Sequence, residues 1–348
     1  MIQFGHNNIQ PEDINRCVSV LQSGWLVNGP VVEELEREFC HFTGASYAIA
    51  MNSCTACLHT ACYFLKEKQG ISKLKVPDVT HVASAHAARM AGLEVELVDV
   101  DPQDGIMLPE HLTGEEVIVH LAGQPAAETT PNTIEDCAHA LGSKYSNGGH
   151  VGTQGLCGCF SFYPTKHITC AEGGMLITNN RELMEFARLF RGFGIDRPPQ
   201  FRSKPGEYDS LFVSPNYRMS DASAALLIGQ LKRFEDNRQH RIKIARIYEE
   251  ELKGVVELPS WRNGTSWFIY QIQTENRDGL VEFLKKKEIQ TSVHYRRPLS
   301  QMSAYNDKFT GANSQRFADT VLSLPIHQGI MESDAREIIQ AICLFKNS

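Results

Sequence analysis

The chain has 348 residues, 42% of them hydrophobic, with a formal net charge of -7 and a sequence pI near 6.0. That is enough apolar content for one large core or two domains, and the acidic balance argues against general binding of nucleic acid or of an anionic membrane. The first residues, MIQFGHNNIQPEDINR, lack the basic-then-apolar order of a secretory leader and no apolar run approaches membrane-spanning length, so a cytoplasmic protein with small-molecule partners is expected. In a reducing compartment the ten cysteines read as small hydrophobes, and no CxxC has a matching partner, which disfavours a structural metal site.

In chain order, Pro11 to Gln22 carries Ile14, Val18 and Leu21 at helical spacing, with Glu12 and Asp13 in the first turn and Gly24 as terminator. The loop GWLVNGP places Trp25 where it either covers a ligand or packs on the core. A second helix, Val31 to Thr43, aligns Leu35, Phe39 and Phe42. The short strand Tyr47 to Met51 then runs through Asn52, Ser53 and Thr55 into a helix from about Ala56 to Lys66. A helix N-terminus with free amides behind a strand reads as an anion cradle or as an ordinary Ser/Thr cap.

Alternation continues: strand Lys75 to Pro77, helix His81 to Ala91, then strands Glu94 to Val100, Val117 to His120, Thr133 to Asp136, Leu156 to Phe162 and Gly174 to Thr178. Strands separated by helices predict an α/β fold with a mainly parallel sheet, whose ligands bind beyond the strands' carboxyl ends. Asp136 stands at one such end, with His139 a turn later, and a carboxylate at that depth needs either a cationic partner such as a protonated ring nitrogen or the backbone amides of the next helix. Lys166 stands past another, isolated from other charges and followed by Glu172, Gly173 and Gly174. Buried there, an ammonium loses hydration and its amine becomes a nucleophile toward a carbonyl; the other reading is a loop lysine that simply follows a strand. After a helix at Arg181 to Phe190, residues 195–215 read as a long polar loop. One helix, capped by Ser220, is expected to run to about Leu252 and lead into a smaller α+β domain. That domain would contain strands Trp267 to Gln273 and Gln290 to Tyr295 and helices Arg277 to Lys287 and Glu332 to Phe345. The predicted division is 1–240 and 241–348.

Taken together, GWLVNGPVVEELEREFCHFTGASYAIAMNSCTA, VELVDVDP, VHLAGQPA, IEDCAHALGSKY, FSFYPTKHITCAEGG, NYRMSDASAALLIGQLKR and VHYRRPLS resemble, in shared order and spacing, the DegT/DnrJ/StrS-type sugar aminotransferases. These are pyridoxal-phosphate (PLP) enzymes of fold type I, in the aspartate aminotransferase class. The resemblance implies that Lys166 holds the cofactor as an imine and serves as the catalytic base, and that Asp136 pairs with the pyridine nitrogen. It also implies that Thr55, Ala56 and Ser161 bind the phosphate, that His139 lies by the ring, and that His81 stacks on its face. Asn216 would reach the neighbouring subunit's phosphate, implying a homodimer with shared active sites. Trp25, His294 and Tyr295 would line the sugar-nucleotide side. TCAEGG and EDCAHA look closest to bacterial enzymes that aminate C4 of UDP-linked 4-keto sugars.

The chain departs from the family pattern in three places. Cys54 stands where glycine is usual, His81 where a larger aromatic is usual, and only AAETTPNT remains between Pro125 and Ile134 where a helix is expected. That short crossover suggests a sheet face covered by something else, such as a partner subunit. Relatives that replace the lysine with histidine dehydrate sugars instead, and a non-catalytic ligand-binding protein on the same scaffold is a further alternative. Lys166, with Asp136 and Ser161, argues against both.

Overall fold

The computed structural model describes residues 1–126, 129–196, 203–305, 309 and 311–347. Helix α1 (Pro11–Ser23) begins with a reciprocal cap in which the Gln10 amide donates to Asp13 Oδ2 at 2.9 Å, and it ends at Gly24 with φ 75°. The predicted helix is there, but Ile14, Val18 and Leu21 are exposed and the buried residues are Asp13 and Val20. Helix α2 (Pro30–Thr43) starts where the Gly29, Val31 and Val32 amides all donate to the buried Asp221 carboxylate. Its Leu35 and Phe39 are fully buried, worth about 2–3 kcal/mol each.

The α/β body follows: β1 (Tyr47–Met51), α3 (Cys54–Gln69), β2 (Lys73–Pro77), α4 (Val82–Met90), β3 (Glu94–Val98), β4 (Val117–Val119), β5 (Ile134–Asp136), β6 (Cys157–Ser161), β7 (Gly174–Thr178) and α5 (Arg181–Phe190). Five strands lie in the order β1-β7-β6-β5-β4, and a parallel bridge between Lys75 and Glu116 continues the sheet into the β2-β3 pair. Pairings are parallel except where β7 meets β1 and β6. The strands are short apolar runs, as expected for a sheet covered on both faces. Helices α3, α4 and α5 pack Leu58, Leu65 and Phe190 on one face. On the other, α2 and α6 (Asp221–Lys232) pack Phe39 and Leu227 against Phe160 and Phe162.

The single long helix expected from Ser220 is two, α6 and α7 (Phe234–Glu251), broken at Arg233 with φ -92° and ψ 5°. Its guanidinium turns to the buried Asp13 carboxylate, with Nη2 at 2.6 Å from Oδ2. The remainder comprises β8 (Tyr270–Gln273), α8 (Arg277–Lys286), α9 (Ala312–Thr320), β9 (Val321–Leu324) and α10 (Glu332–Lys346). Strand β8 is shorter than expected because Trp267 has φ 52°, which ends the extended conformation. The expected strand Gln290 to Tyr295 does not form, and this segment makes only the bridge between Ser292 and Ser323 to β9. A separate core joins Tyr248, Trp267, Leu284 and Ile338.

The first residues after β4, in the short crossover to β5, pack on the C-terminal part of the chain. Leu121 packs with Phe317 and Val321, Ala122 with Phe268 and Ile269, and the Phe268 amide donates to Ala122 O at 3.0 Å. Positions 127–128 of this crossover and 197–202 of the expected long loop lie outside the described residues. No described helix is long and apolar enough to cross a membrane.

Candidate active site

Met51, Pro77, Asp136 and Ser161 end β1, β2, β5 and β6, and the turns beyond them form one edge of the sheet. Backbone pairing brings the anion cradle into this edge. Gly174 opens β7 opposite both Met51 and Ser161, and a Cβ on it would lie 2.4 Å from the Ser53 carbonyl carbon. Only glycine lets the entry to α3 rest on the strand this closely. Ser53 caps α3 by accepting from the Ala56 amide at 3.1 Å, so that amide is spent within the cap, while Thr55 stays partly exposed on the first turn. Ser161 is partly exposed one strand away. The Asn52 amide donates to Tyr217 O at 2.8 Å and its side chain lies 3.4 Å from Asn216 O, which sets the exposed Asn216 beside the cradle of its own chain.

Cys54 takes a helical conformation as the first residue of α3, so its side chain brings no backbone strain. It is buried with Sγ 3.4 Å from Cys159 O and 4.0 Å from Asp136 Oδ1, and it links the cradle to the carboxylate. Burial raises its thiol well above the ordinary range, as does the nearby Asp136 charge. Asp136 itself is buried, accepting from Ser84 Oγ at 2.7 Å on one oxygen and from the Ala138 amide at 3.1 Å on the other.

Lys166 is partly buried, its Nζ 4.7 Å from the centre of the Phe268 ring. Burial lowers its amine to about 8, against an opposing pull from Cys54 and Asp136. Phe268 also packs at 4.4 Å on His139, which in turn lies 6.0 Å from His294 and 6.4 Å from Tyr295 between ring centres. His81, exposed at the N-cap of α4, lies 6.2 Å from Tyr295. Burial pushes the His81, His139 and His167 imidazoles down and takes His294 to about 4, with the Lys166 charge contributing at each. These rings are therefore neutral at pH 7. The result is an amine and a carboxylate in a pocket of uncharged rings.

Lys166, Asp136, His81, His139, His294 and Tyr295 are thus brought together, with Thr55 and Ser161 on the adjoining cradle. Trp25 is not seated in the core: it is 54% exposed, and its ring lies over Gly29, where a Cβ would approach its Nε1 to 1.9 Å. Two contributors escaped the sequence reading. Ser84 is one polar residue in an alanine-rich helix, and Phe268 comes from a segment more than 100 positions beyond Lys166, so neither lies in a local motif with the groups it touches.

These residues suit a phosphorylated pyridine aldehyde. The buried Nδ1 of His139 has no partner among the described residues, Asp136 keeps accepting capacity, and α3 points its N-terminus at the same edge. Comparison with known proteins agrees. The chain matches the DegT/DnrJ/EryC1/StrS aminotransferase family over residues 7–343. It is similar to a DegT DnrJ EryC1 StrS aminotransferase from Brucella abortus, with 29% identity over 97% of this chain and 96% of the other and a TM-score of 0.86. It is also similar to Helicobacter pylori PseC, an aminotransferase involved in pseudoaminic acid biosynthesis, with 26% identity over 99% and 98% and a TM-score of 0.90. The putative sugar aminotransferase Spr1654 of Streptococcus pneumoniae, solved in its PMP form, shares the fold at a TM-score of 0.90 and 24% identity over 100% and 99%. The chain belongs to the DegT/DnrJ/EryC1/StrS aminotransferase family and is a pyridoxal-phosphate-dependent sugar aminotransferase.

Proposed function

We propose that this enzyme moves an amino group from L-glutamate to the keto group of a nucleotide-linked deoxysugar, supplying an amino sugar for a surface polysaccharide or other glycoconjugate. The observation that carries this reading is the Lys166 amine, held 4.7 Å from the Phe268 ring, lowered by burial to about 8 and close enough to feel the Asp136 charge. The role described for PseC in pseudoaminic acid biosynthesis supports a sugar of this kind.

PLP bound here supplies an electron sink that stabilises the carbanion left when the donor loses its Cα proton. Lys166 would hold the cofactor through its amine, and the same amine, when free, would be the base that takes the donor's Cα proton and returns it. Asp136 keeps the ring nitrogen positive. Thr55 and Ser161 would receive the phosphate, and Ala56 would join them only if its amide leaves the Ser53 hydroxyl to which it donates in this structure. His81 and His139 would hold the ring, and Trp25, His294 and Tyr295 would receive the sugar nucleotide. The same base serves both half-reactions, which gives ping-pong kinetics.

The assembly is a homodimer in which Asn216 completes the partner's phosphate site. Exposed apolar residues support it: Ile14, Val18, Leu21, Trp25, Leu26 and Val27 run along α1 and the loop after it. Each chain divides near residue 240, inside α7, whose Phe234 joins the sheet core while Ile244 and Tyr248 join the C-terminal core. Ten free cysteines, seven of them buried, favour a reducing cytoplasm.

The test is an assay of purified enzyme with glutamate against a panel of 3-keto and 4-keto sugar nucleotides, following 2-oxoglutarate and the aminated product. Turnover of one panel member supports the reading. A glutamate-driven spectral change of the bound cofactor without turnover of any sugar nucleotide would overturn the substrate assignment. Mixing inactive Lys166→Ala and Asn216→Ala proteins should restore activity if the sites are shared.

A further inference from the structure

The carboxylate at the end of β5 is oriented by a chain of two hydroxyls that no motif brings together. Ser84 Oγ lies 2.7 Å from Asp136 Oδ2 and 2.9 Å from Thr80 Oγ1, and all three side chains are buried. The Ser84 proton goes to the carboxylate, which accepts only, so Thr80 must donate to Ser84. The other carboxylate oxygen accepts the Ala138 amide at 3.1 Å. One close donor on each oxygen, with the Cys54 thiol 4.0 Å from Oδ1, fixes the plane of the carboxylate and leaves accepting capacity on both oxygens. Thr80 and Ser84 reach this position from the first turn of α4 and the residues before it, where the Ser84 amide also bonds His81 O at 3.2 Å. The element that carries His81 therefore also holds Asp136.

We propose that Ser84, itself held by Thr80, is a positioning residue that fixes the Asp136 carboxylate against the cofactor's ring nitrogen and keeps the proton on that nitrogen. This rests on the reading above that Asp136 pairs with the ring. Two effects act in the same direction when Ser84 is removed. A carboxylate free to rotate meets the ring nitrogen less often, and a carboxylate with one donor fewer draws the shared proton toward itself. Both leave the ring less positive.

The test uses full-length protein loaded with PLP labelled with 15N in the ring. In wild-type enzyme the ring nitrogen should resonate at the upfield position of a pyridinium. In Ser84→Ala it should move toward the neutral pyridine position, PLP affinity should fall roughly tenfold, and kcat should fall while KM for the amino donor changes little. Ser84→Thr, which keeps the hydroxyl, should restore the wild-type signal, and Thr80→Val should give a shift of the same sign but smaller size. Asp136→Asn is the control. An unchanged nitrogen signal in Asp136→Asn would overturn the Asp136 reading itself. A changed signal there with an unchanged one in Ser84→Ala would overturn the role of Ser84 alone. Should Ser84→Ala fail to fold, Thr80→Val decides, and an unchanged signal in it overturns the proposal.

Discussion

Glu135 and Asp136 are neighbours on β5, both buried, and their side chains leave opposite faces of the strand. Glu135 is saturated. His120 Nε2 and Tyr145 Oη donate to one oxygen at 3.0 and 2.7 Å together with the Gly152 amide, while the Gln154 and Gly155 amides donate to the other at 3.1 and 2.7 Å. Burial alone would raise this carboxyl, but the His120, Tyr145 and backbone donors hold it below its ordinary value. Although His120, Glu135 and Cys137 each bring a ligand atom within 4.8 Å of one another, the imidazole and carboxylate are already engaged, His120 Nδ1 by the Ala126 amide. Asp136 has two close donors, Ser84 and Ala138, and a distant thiol. A carboxylate whose lone pairs are all met by protein is scaffolding, and one left short on a strand end is available to a ligand.

The sharpest way to break this contrast starts at the group Asp136 serves. Lys166→Ala should lower turnover by about 10³-fold or more while the protein stays folded, as measured by 2-oxoglutarate release and circular dichroism. Asp136→Ala should lower kcat by roughly 10²-fold without an equal loss of thermal stability. Glu135→Gln should do the reverse, costing about 3 kcal/mol of stability in urea titration while the folded fraction keeps near-normal turnover. A stable but inactive Glu135→Gln enzyme would show the two carboxylates are not divided as described. Because the folded-state value of Glu135 is lowered, its contribution is present above the ordinary value of 4.5 and is lost as pH falls through the lowered one, so this variant should also flatten the acid limb of the stability curve. For Lys166, the rate at which cofactor-free enzyme captures PLP should rise with pH around a midpoint of about 8, instead of above 10 as for an exposed lysine. The smallest effect is expected of Tyr145→Phe, which removes one donor from Glu135 and should cost about 1–2 kcal/mol with turnover unchanged.

This contrast also marks what could be read from residues alone. Strand β7 and helix α5 fall at their expected bounds because apolar runs and an Asn cap delimit them locally. Lys166 and Asp136 were legible because each follows a strand end within a motif. Helix α1 was legible from its spacing, but its exposed apolar face was not, because periodicity reports a stripe and not what covers it. The break at Arg233 was hidden because no glycine or proline marks it, and the carboxylate its side chain meets there lies 220 positions earlier. Ser84, Phe268 and the closed environment of Glu135 were invisible for the same reason: each is defined by contacts between distant segments, and nothing in its immediate neighbours records them.

Gly174 limits how the site can vary. With the backbone of Ser53 and Cys54 within 2.5 Å of where its first side-chain atom would sit, the loop lies bare on the sheet with no layer of side chains between them. The height of the α3 N-terminus above the strands is thus set by main-chain thickness alone. The floor cannot be raised by even one methyl group without tilting α3, so on the proposed reading changes of substrate preference come from the rim, at His81, Trp25 or the 294–295 turn.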